Sequence, residues 1–397
     1  MVGVKVVMLD LDGTLIGPGD SAVQDTVEMT QALKAAGLTI VVTTGRRGSW
    51  QTSQLLNRHG YAFDLVEDKA FANGQVKGRP DWVQEICKYF KVQTNEIVYL
   101  GDTDNDMRSA VNGRLMYFHA GWTGSYPYGL RMTRPKLFSL LIAECFVNPS
   151  GWYWQLQMND ACGRSVDVRA LMDSRGAGIS AFQNDMLGFL KDGKNPMVGP
   201  MTVGNFITFH LLGNLYADGL FNLIDTWAVY PSSKTAKMNR ILRYTAVQMA
   251  RLFRDRPAPL LVRHTNAVDS GEARKRGITV GFDNQINTVH LDAAYAKAID
   301  GRYIALLDDF MTAGYSMECA RNLLSYEGAA HVLGINFCKY SWWPEVITPK
   351  NGYSWDGYAP TTHDMTNFDS IAFAGTTNAT ALATLNASYK RVSTATI

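Results

Sequence analysis

Twice along this chain a mostly apolar, strand-forming run stops on a pair of carboxylates and then on a glycine turn. The first is Val4–Leu9, followed by Asp10, Asp12, Gly13 and Thr14; the second is Tyr303–Leu307, followed by Asp308, Asp309, Thr312, Ala313 and Gly314. Such runs read as strands buried on both faces of a parallel sheet. The acids then fall at the carboxyl edge, where open α/β sheets take their ligands. Each run lies in its own strand–helix alternation. Residues 1–122 offer strands Val4–Leu9, Thr39–Thr43, Ile97–Leu100 and Leu115–Phe118, with Val23, Val27, Thr30 and Leu33 at helical spacing and Gly37 where that helix ends. Residues 221–340 offer strands Leu223–Val229, Leu260–Val262, Tyr303–Leu307 and His331–Phe337, with helices Lys237–Phe253 and Tyr315–Tyr326. The expected architecture is α/β: two doubly wound parallel-sheet domains, 1–122 and 221–340. A mostly helical connector, 123–220, joins them through Lys136–Val147 and Phe206–Ile224, and 341–397 forms a C-terminal extension.

Composition narrows the class. The 397 residues leave room for two or three domains, and 46% hydrophobic against 19% charged residues is the balance of packed cores, not of a disordered or fibrous chain. A net charge of +2 points to neither nucleic acid nor membrane as a general partner. The longest apolar stretch, Leu137–Val147, is too short to span a bilayer and carries Glu144. The N-terminal run closes on Asp10 without a cleavage site, so it does not read as a signal peptide. Cys87, Cys145, Cys162, Cys319 and Cys338 lack paired spacing and read as buried free thiols of a cytoplasmic protein. The histidines at 119, 210, 264, 290, 331 and 363 show no metal spacing, and the Trp152–Trp154 and Trp342-Trp343 clusters read as core or interdomain contacts.

Every candidate strand of the first half ends in usable chemistry. Asp10 and Asp12, separated by one residue of extended chain, point the same way. Thr43 and Thr44 follow the second strand, Lys77 precedes the helix leading to the next candidate strand, and Asp102 and Asp106 follow that strand in GDTDND. A carboxylate can attack phosphorus, a neighbouring acid can protonate the leaving oxygen, and a hydroxyl and an ammonium can hold phosphoryl oxygens. Several carboxylates together suit hard Mg²⁺. In this order the set resembles the four motifs of the haloacid dehalogenase superfamily of phosphohydrolases, over about residues 1–120. The resemblance implies a Rossmann-like core with Asp10 as nucleophile, Asp12 as acid/base, Thr44 and Lys77 holding the phosphoryl group, and Mg²⁺ on Asp10, the Asp12 carbonyl and Asp102, with Asp106 nearby. Members of that family often insert a cap between these motifs. The gaps here are short, so a capless core with an open site is expected, unless residues 123–220 supply a lid.

In the second half, the turn after Asp308 and Asp309 runs into a helix, so its backbone N–H groups form a nest for a phosphate, helped by the hydroxyls of Thr312 and Ser316. The stretch resembles the signature of type I phosphoribosyltransferases, which use 5-phosphoribosyl-1-pyrophosphate (PRPP). By that resemblance Asp308, Asp309, Thr312, Ala313, Gly314, Tyr315 and Ser316 hold the ribose phosphate. Ser232, Ser233 and Lys234 after the preceding strand, with Arg274, Lys275 and Arg276, would hold the pyrophosphate. Residues 231–281 contain eleven Lys and Arg against three acids, a local charge of +8 that leaves −6 for the rest. Thr312 stands where purine-using members often carry a carboxylate, so no base for an incoming nucleobase is evident.

The reading from sequence is therefore a multifunctional enzyme of nucleotide metabolism: a Mg²⁺-dependent phosphatase fused to a phosphoribosyltransferase, acting in sequence on small phosphate esters, PRPP or nucleotides. The alternatives are a phosphatase regulated by a non-catalytic PRPP- or nucleotide-sensing domain, and a phosphatase acting on nucleic-acid ends. No membrane partner is expected, and a homo-oligomer is compatible with the sequence.

Overall fold

The computed structural model describes residues 2–46, 48–68, 71, 77–174, 180–235, 259–340 and 344–396. Its first sheet contains β1 (Val6–Asp10), β2 (Thr39–Thr43), β3 (Leu65–Glu67), β4 (Ile97–Gly101), β5 (Met116–Ala120) and β6 (Leu130–Met132). All six are parallel, in the order β3-β2-β1-β4-β5-β6. The order reverses between β1 and β4, which opens a crevice at their carboxyl ends. Alternate residues feed two buried layers: Val7, Leu9, Val42, Leu100 and Phe118 on one face, Val6, Met8, Val41, Tyr99 and Tyr117 on the other. Both faces are covered, as the uninterrupted apolar strands require. Gly37 ends the first helix in the left-handed region, at φ 83°.

The second sheet departs from expectation. Residues 123–220 contain more than helix: β7 (Trp154–Asn159) and β8 (Ser165–Asp173) form an antiparallel hairpin. After a short hairpin of β9 (Met197–Val198) and β10 (Met201–Thr202) come β11 (Thr226–Val229), the paired β12 (Leu261–Arg263) and β13 (Val289–Leu291), β14 (Tyr303–Met311) and β15 (His331–Lys339). The paired β16 (Glu345–Pro349) and β17 (Phe368–Ala372) and the edge strand β18 (Thr376–Thr377) complete the set. The sheet order is β11-β14-β15-β8-β7-β18. β11, β14, β15 and β8 pair parallel, while β8–β7 and β7–β18 pair antiparallel, so the sheet is mixed and not a uniform doubly wound sheet. The expected helix Lys237–Phe253 and the pair Trp342-Trp343 lie outside the described residues.

Two of the connector helices are internal. Val203–Ala217 is apolar on all sides and is buried at every residue except Asn205, as an internal helix must be. With Pro135–Leu141 it fills one continuous core shared by both sheets, from Leu9 and Phe118 to Leu307 and Ile335. The Tyr216 hydroxyl reaches the Thr94 carbonyl (2.7 Å) and accepts from the Met116 N–H (3.3 Å), at the edge of the first sheet opposite Asp10. These two helices weld the sheets together and act as an internal spacer. The thiol expectation is also corrected at two positions: all five cysteines are free, but Cys162 is exposed on the β7–β8 turn and Cys87 is only partly buried.

Burial in that shared core has a consequence for pH. His210 is sealed in it with Nε2 3.0 Å from the Ser388 hydroxyl, and burial, aided by Arg391, pushes its pKa down to about 3. An unfolded imidazole binds a proton below about pH 6.5, so between these values the unfolded chain carries the extra proton. Stability therefore falls as pH drops through this window, by about 1.4 kcal/mol per unit. Urea melts of wild type and His210→Asn at pH 7 and 5 check it: the wild type should lose more on acidification than the variant, and parallel losses would contradict it.

Candidate active site

β1 ends on Asp10, beside Thr43 of β2. Gly13, at φ +84°, then turns the chain away; a Cβ there would lie 2.1 Å from an Asp102 carboxylate oxygen. The glycine is what lets the loop after β1 close on the loop after β4. Lys77 ties the end of β1 to the helix Asp104–Asn112 after β4, its ammonium against Asp10 and 2.5 Å from Asp106 Oδ1. Asp106 is fully buried: its Oδ1 also accepts from the Tyr99 hydroxyl (3.0 Å), and its Oδ2 accepts from the N–H of Asp102 (3.2 Å) and both the N–H (2.9 Å) and hydroxyl (2.6 Å) of Thr103. Asp106 is thus a knot that fixes the Asp102 loop and Lys77.

Asp102 is placed differently, because its Oδ1 is buried without a hydrogen-bond partner. Among the described residues, Asp10, Asp102 and Asp106 offer oxygens within 4.8 Å of one another. Burial raises the Asp10 pKa well above the ordinary carboxylate range, with Asp106 and Asp102 adding to the rise and Lys77 opposing it. Burial works against the Lys77 ammonium, but Asp10 and Asp106 outweigh it and hold its pKa above normal. Three acids and one ammonium carry a formal surplus of two negative charges. An all-oxygen donor set with that surplus and an orphaned buried oxygen fits a hard divalent cation.

The two candidate threonines part ways. The Thr43 hydroxyl bonds to that of Tyr99 at 2.8 Å inside the sheet, whereas Thr44, on the loop beyond, accepts from the Arg46 N–H at 3.0 Å. Asp12 faces outward, with its side chain 51% exposed and in a forked ion pair with Arg46. Trp122 reaches over the rim and donates from Nε1 to the Thr14 carbonyl at 3.2 Å. Two residues here went unassigned from sequence. Arg46 was visible only as part of TTGRR. Glu67, at the end of β3, is buried with neither oxygen hydrogen-bonded and its pKa raised by burial.

At the second rim, Asp308 and Asp309 are still within β14, and Val229, the last residue of β11, pairs with Leu307. Asp308 is buried and accepts from the Asp309 N–H at 2.9 Å; burial, then the Asp309 charge, raises its pKa. Thr312 and Ala313 lead to Gly314, which takes φ 84° and opens the helix Tyr315–Tyr326, on whose first turn Ser316 lies. Tyr315 turns aside to donate to Glu345 Oε1 at 2.8 Å. Ser232, Ser233 and Lys234 follow β11 into the neighbouring loop, pinned by Arg263 Nε to the Ser232 carbonyl (3.0 Å). Lys275 and Arg276 are exposed at the end of the short helix Ser270–Lys275; the Arg274 side chain lies outside the described set.

Residues 19–113 match the family model described as haloacid dehalogenase-like hydrolase, so this span is a hydrolase domain of that family. No curated protein matches the chain. Among solved structures it is similar to a haloacid dehalogenase-superfamily hydrolase of subfamily IA from Geobacter sulfurreducens, at 15% identity over 35% of this chain and 97% of that one, TM-score 0.29. It is also similar to a hydrolase of the superfamily from Ehrlichia chaffeensis, at 13% identity over 36% and 97%, TM-score 0.31. A third is D,D-heptose 1,7-bisphosphate phosphatase from B. bronchiseptica, complexed with magnesium and phosphate, at 15% identity over 34% and 96%, TM-score 0.29.

Proposed function

We propose that the first rim hydrolyses phosphate monoesters through an aspartyl-phosphate. The observation that carries this reading is Asp10 at the sheet's switch point, bridged by Lys77 to Asp106 and beside the unpaired oxygen of Asp102. One Asp10 oxygen attacks phosphorus as the bond to the leaving oxygen breaks, and Asp12 gives that oxygen its proton. Asp12 then takes a proton from water, whose oxygen attacks phosphorus and frees phosphate, restoring the Asp10 carboxylate. Lys77 and the Thr44 hydroxyl hold the phosphoryl oxygens. Mg²⁺, held by Asp10, the Asp12 carbonyl and Asp102, would offset the charge of the phosphoryl group.

A second reading concerns the other rim, and is favoured by buried Asp308 near the end of β14, after which a glycine turn opens a helix. There Asp308 and Asp309 would take the ribose hydroxyls, and residues 312–316 the 5-phosphate, of PRPP or a nucleotide, with Ser232, Ser233, Lys234, Arg274, Lys275 and Arg276 on the pyrophosphate side. Both readings meet in one experiment: a panel of phosphate esters and nucleotides with Mg²⁺, with and without PRPP, assayed for phosphate and pyrophosphate. Phosphate release that stops on chelation supports the first rim. Pyrophosphate release supports transfer at the second, whereas a PRPP effect on phosphate release without pyrophosphate supports a sensor. Phosphate release from no ester would overturn the first reading.

A further inference from the structure

Arg46 sits beside Asp12, the residue proposed above to protonate the leaving oxygen. Its backbone N–H is tied to the Thr44 hydroxyl, so it is anchored to the loop that holds the phosphoryl group. Its guanidinium spans the mouth of the site, with Nη2 and Nε 2.5 and 2.9 Å from Asp12 Oδ1 and Nη1 2.9 Å from Asp20 Oδ1. Side-chain exposures of 36% for Arg46, 51% for Asp12 and 55% for Asp20 put this trio in water at the rim. Exposed ion pairs are weak and exchange readily. The same guanidinium fork suits phosphate or carboxylate oxygens, which it grips with two parallel bonds.

We propose that Arg46 reads a second negative charge on the substrate, so that the preferred esters carry another phosphate or a carboxylate on the leaving group. The inference rests on the phosphohydrolase reading of the first rim. Asp12 must leave Arg46 to reach the leaving oxygen, and an anionic leaving group supplies the guanidinium with a replacement partner as Asp12 turns inward. A neutral leaving group supplies none, and Asp12 stays tied.

Matched pairs test this: 3-phosphoglycerate against glycerol 3-phosphate, and fructose 1,6-bisphosphate against fructose 6-phosphate. The wild type should favour the charged member by about 10-fold or more in kcat/KM, since one charge-assisted fork discriminates on that scale. Arg46→Gln should collapse the ratio to within about 2-fold, largely through KM of the charged member, and Arg46→Lys should keep part of it. A wild type without preference, or an equal loss on both members with the ratio intact, would overturn the proposal and leave Arg46 a structural clamp. Calorimetric titration of Asp10→Asn with the same pairs and Mg²⁺ reads the proposal without turnover. Tighter binding of the charged member that vanishes in Asp10→Asn/Arg46→Gln supports it, and equal binding sinks it. Arg46-dependent binding with no hydrolysis of any ester would instead fault the phosphohydrolase reading.

Discussion

Asp10→Asn is expected to cut phosphate release by about 10⁴-fold or more, the scale of losing a nucleophile, while leaving the protein at least as stable as wild type when Mg²⁺ is absent. The two halves have one cause. The amide keeps the size of the side chain and an oxygen for Lys77, but it cannot form the acyl phosphate. It also removes one of three crowded acids and one of the two that are buried, whose ionisation burial opposes. Catalytic groups held against their own preference destabilise a fold, and neutralising them relieves it. Phosphate assays beside thermal melts in chelator check both: retained turnover removes Asp10 from the nucleophile's role, and a lower melting temperature contradicts the crowding. If pyrophosphate is released from PRPP at the second rim, that reaction should persist in this variant.

Lys77→Met is expected to do the reverse to stability. Without the ammonium, Asp10 and Asp106 face each other buried and without a countercharge. Breaking one side of a buried pair costs about 3–5 kcal/mol, which for a chain of this size is a fall of roughly 4–6 °C. The sign with pH follows. Lys77 holds the Asp106 pKa below normal against the opposing effect of burial, so in the wild type this contribution is present above the unfolded carboxylate pKa and fades as pH falls. In the variant both carboxyls shift upward, the folded chain binds protons first, and the deficit should shrink on going from pH 8 to pH 5. Added Mg²⁺ should raise the variant's melting temperature more than the wild type's, because it replaces the missing positive charge. A deficit that is the same at both pH values and indifferent to Mg²⁺ would mean that Lys77 acts only through packing.

The strand ends carried most of what could be read in advance. Asp10, Thr44, Asp102 and Asp106 follow apolar runs whose burial on both faces leaves few alternatives to a parallel sheet, and the helix Tyr315–Tyr326 lies where its spacing put it. The β7–β8 hairpin was not read from the sequence, where the stretch reads as part of a mostly helical connector, and neither was its partner. β8 pairs with β15, some 160 residues further along, and no local signal names a partner that distant. The same limit hid Arg46. Its sequence neighbourhood shows a loop, while the carboxylates it grips come from the turn after β1.

What the chain's order of residues determined is the chemistry available at each strand end, because continuous apolar runs fix which positions are buried and the acids end them. Which of those ends share a crevice was decided only in three dimensions. β1 lies between β2 and β4, Gly13 admits Asp102, Lys77 ties Asp10 to Asp106, and one internal helix packs between both sheets. Local sequence sets local conformation, but burial and charge pairing are satisfied by whatever comes near in space.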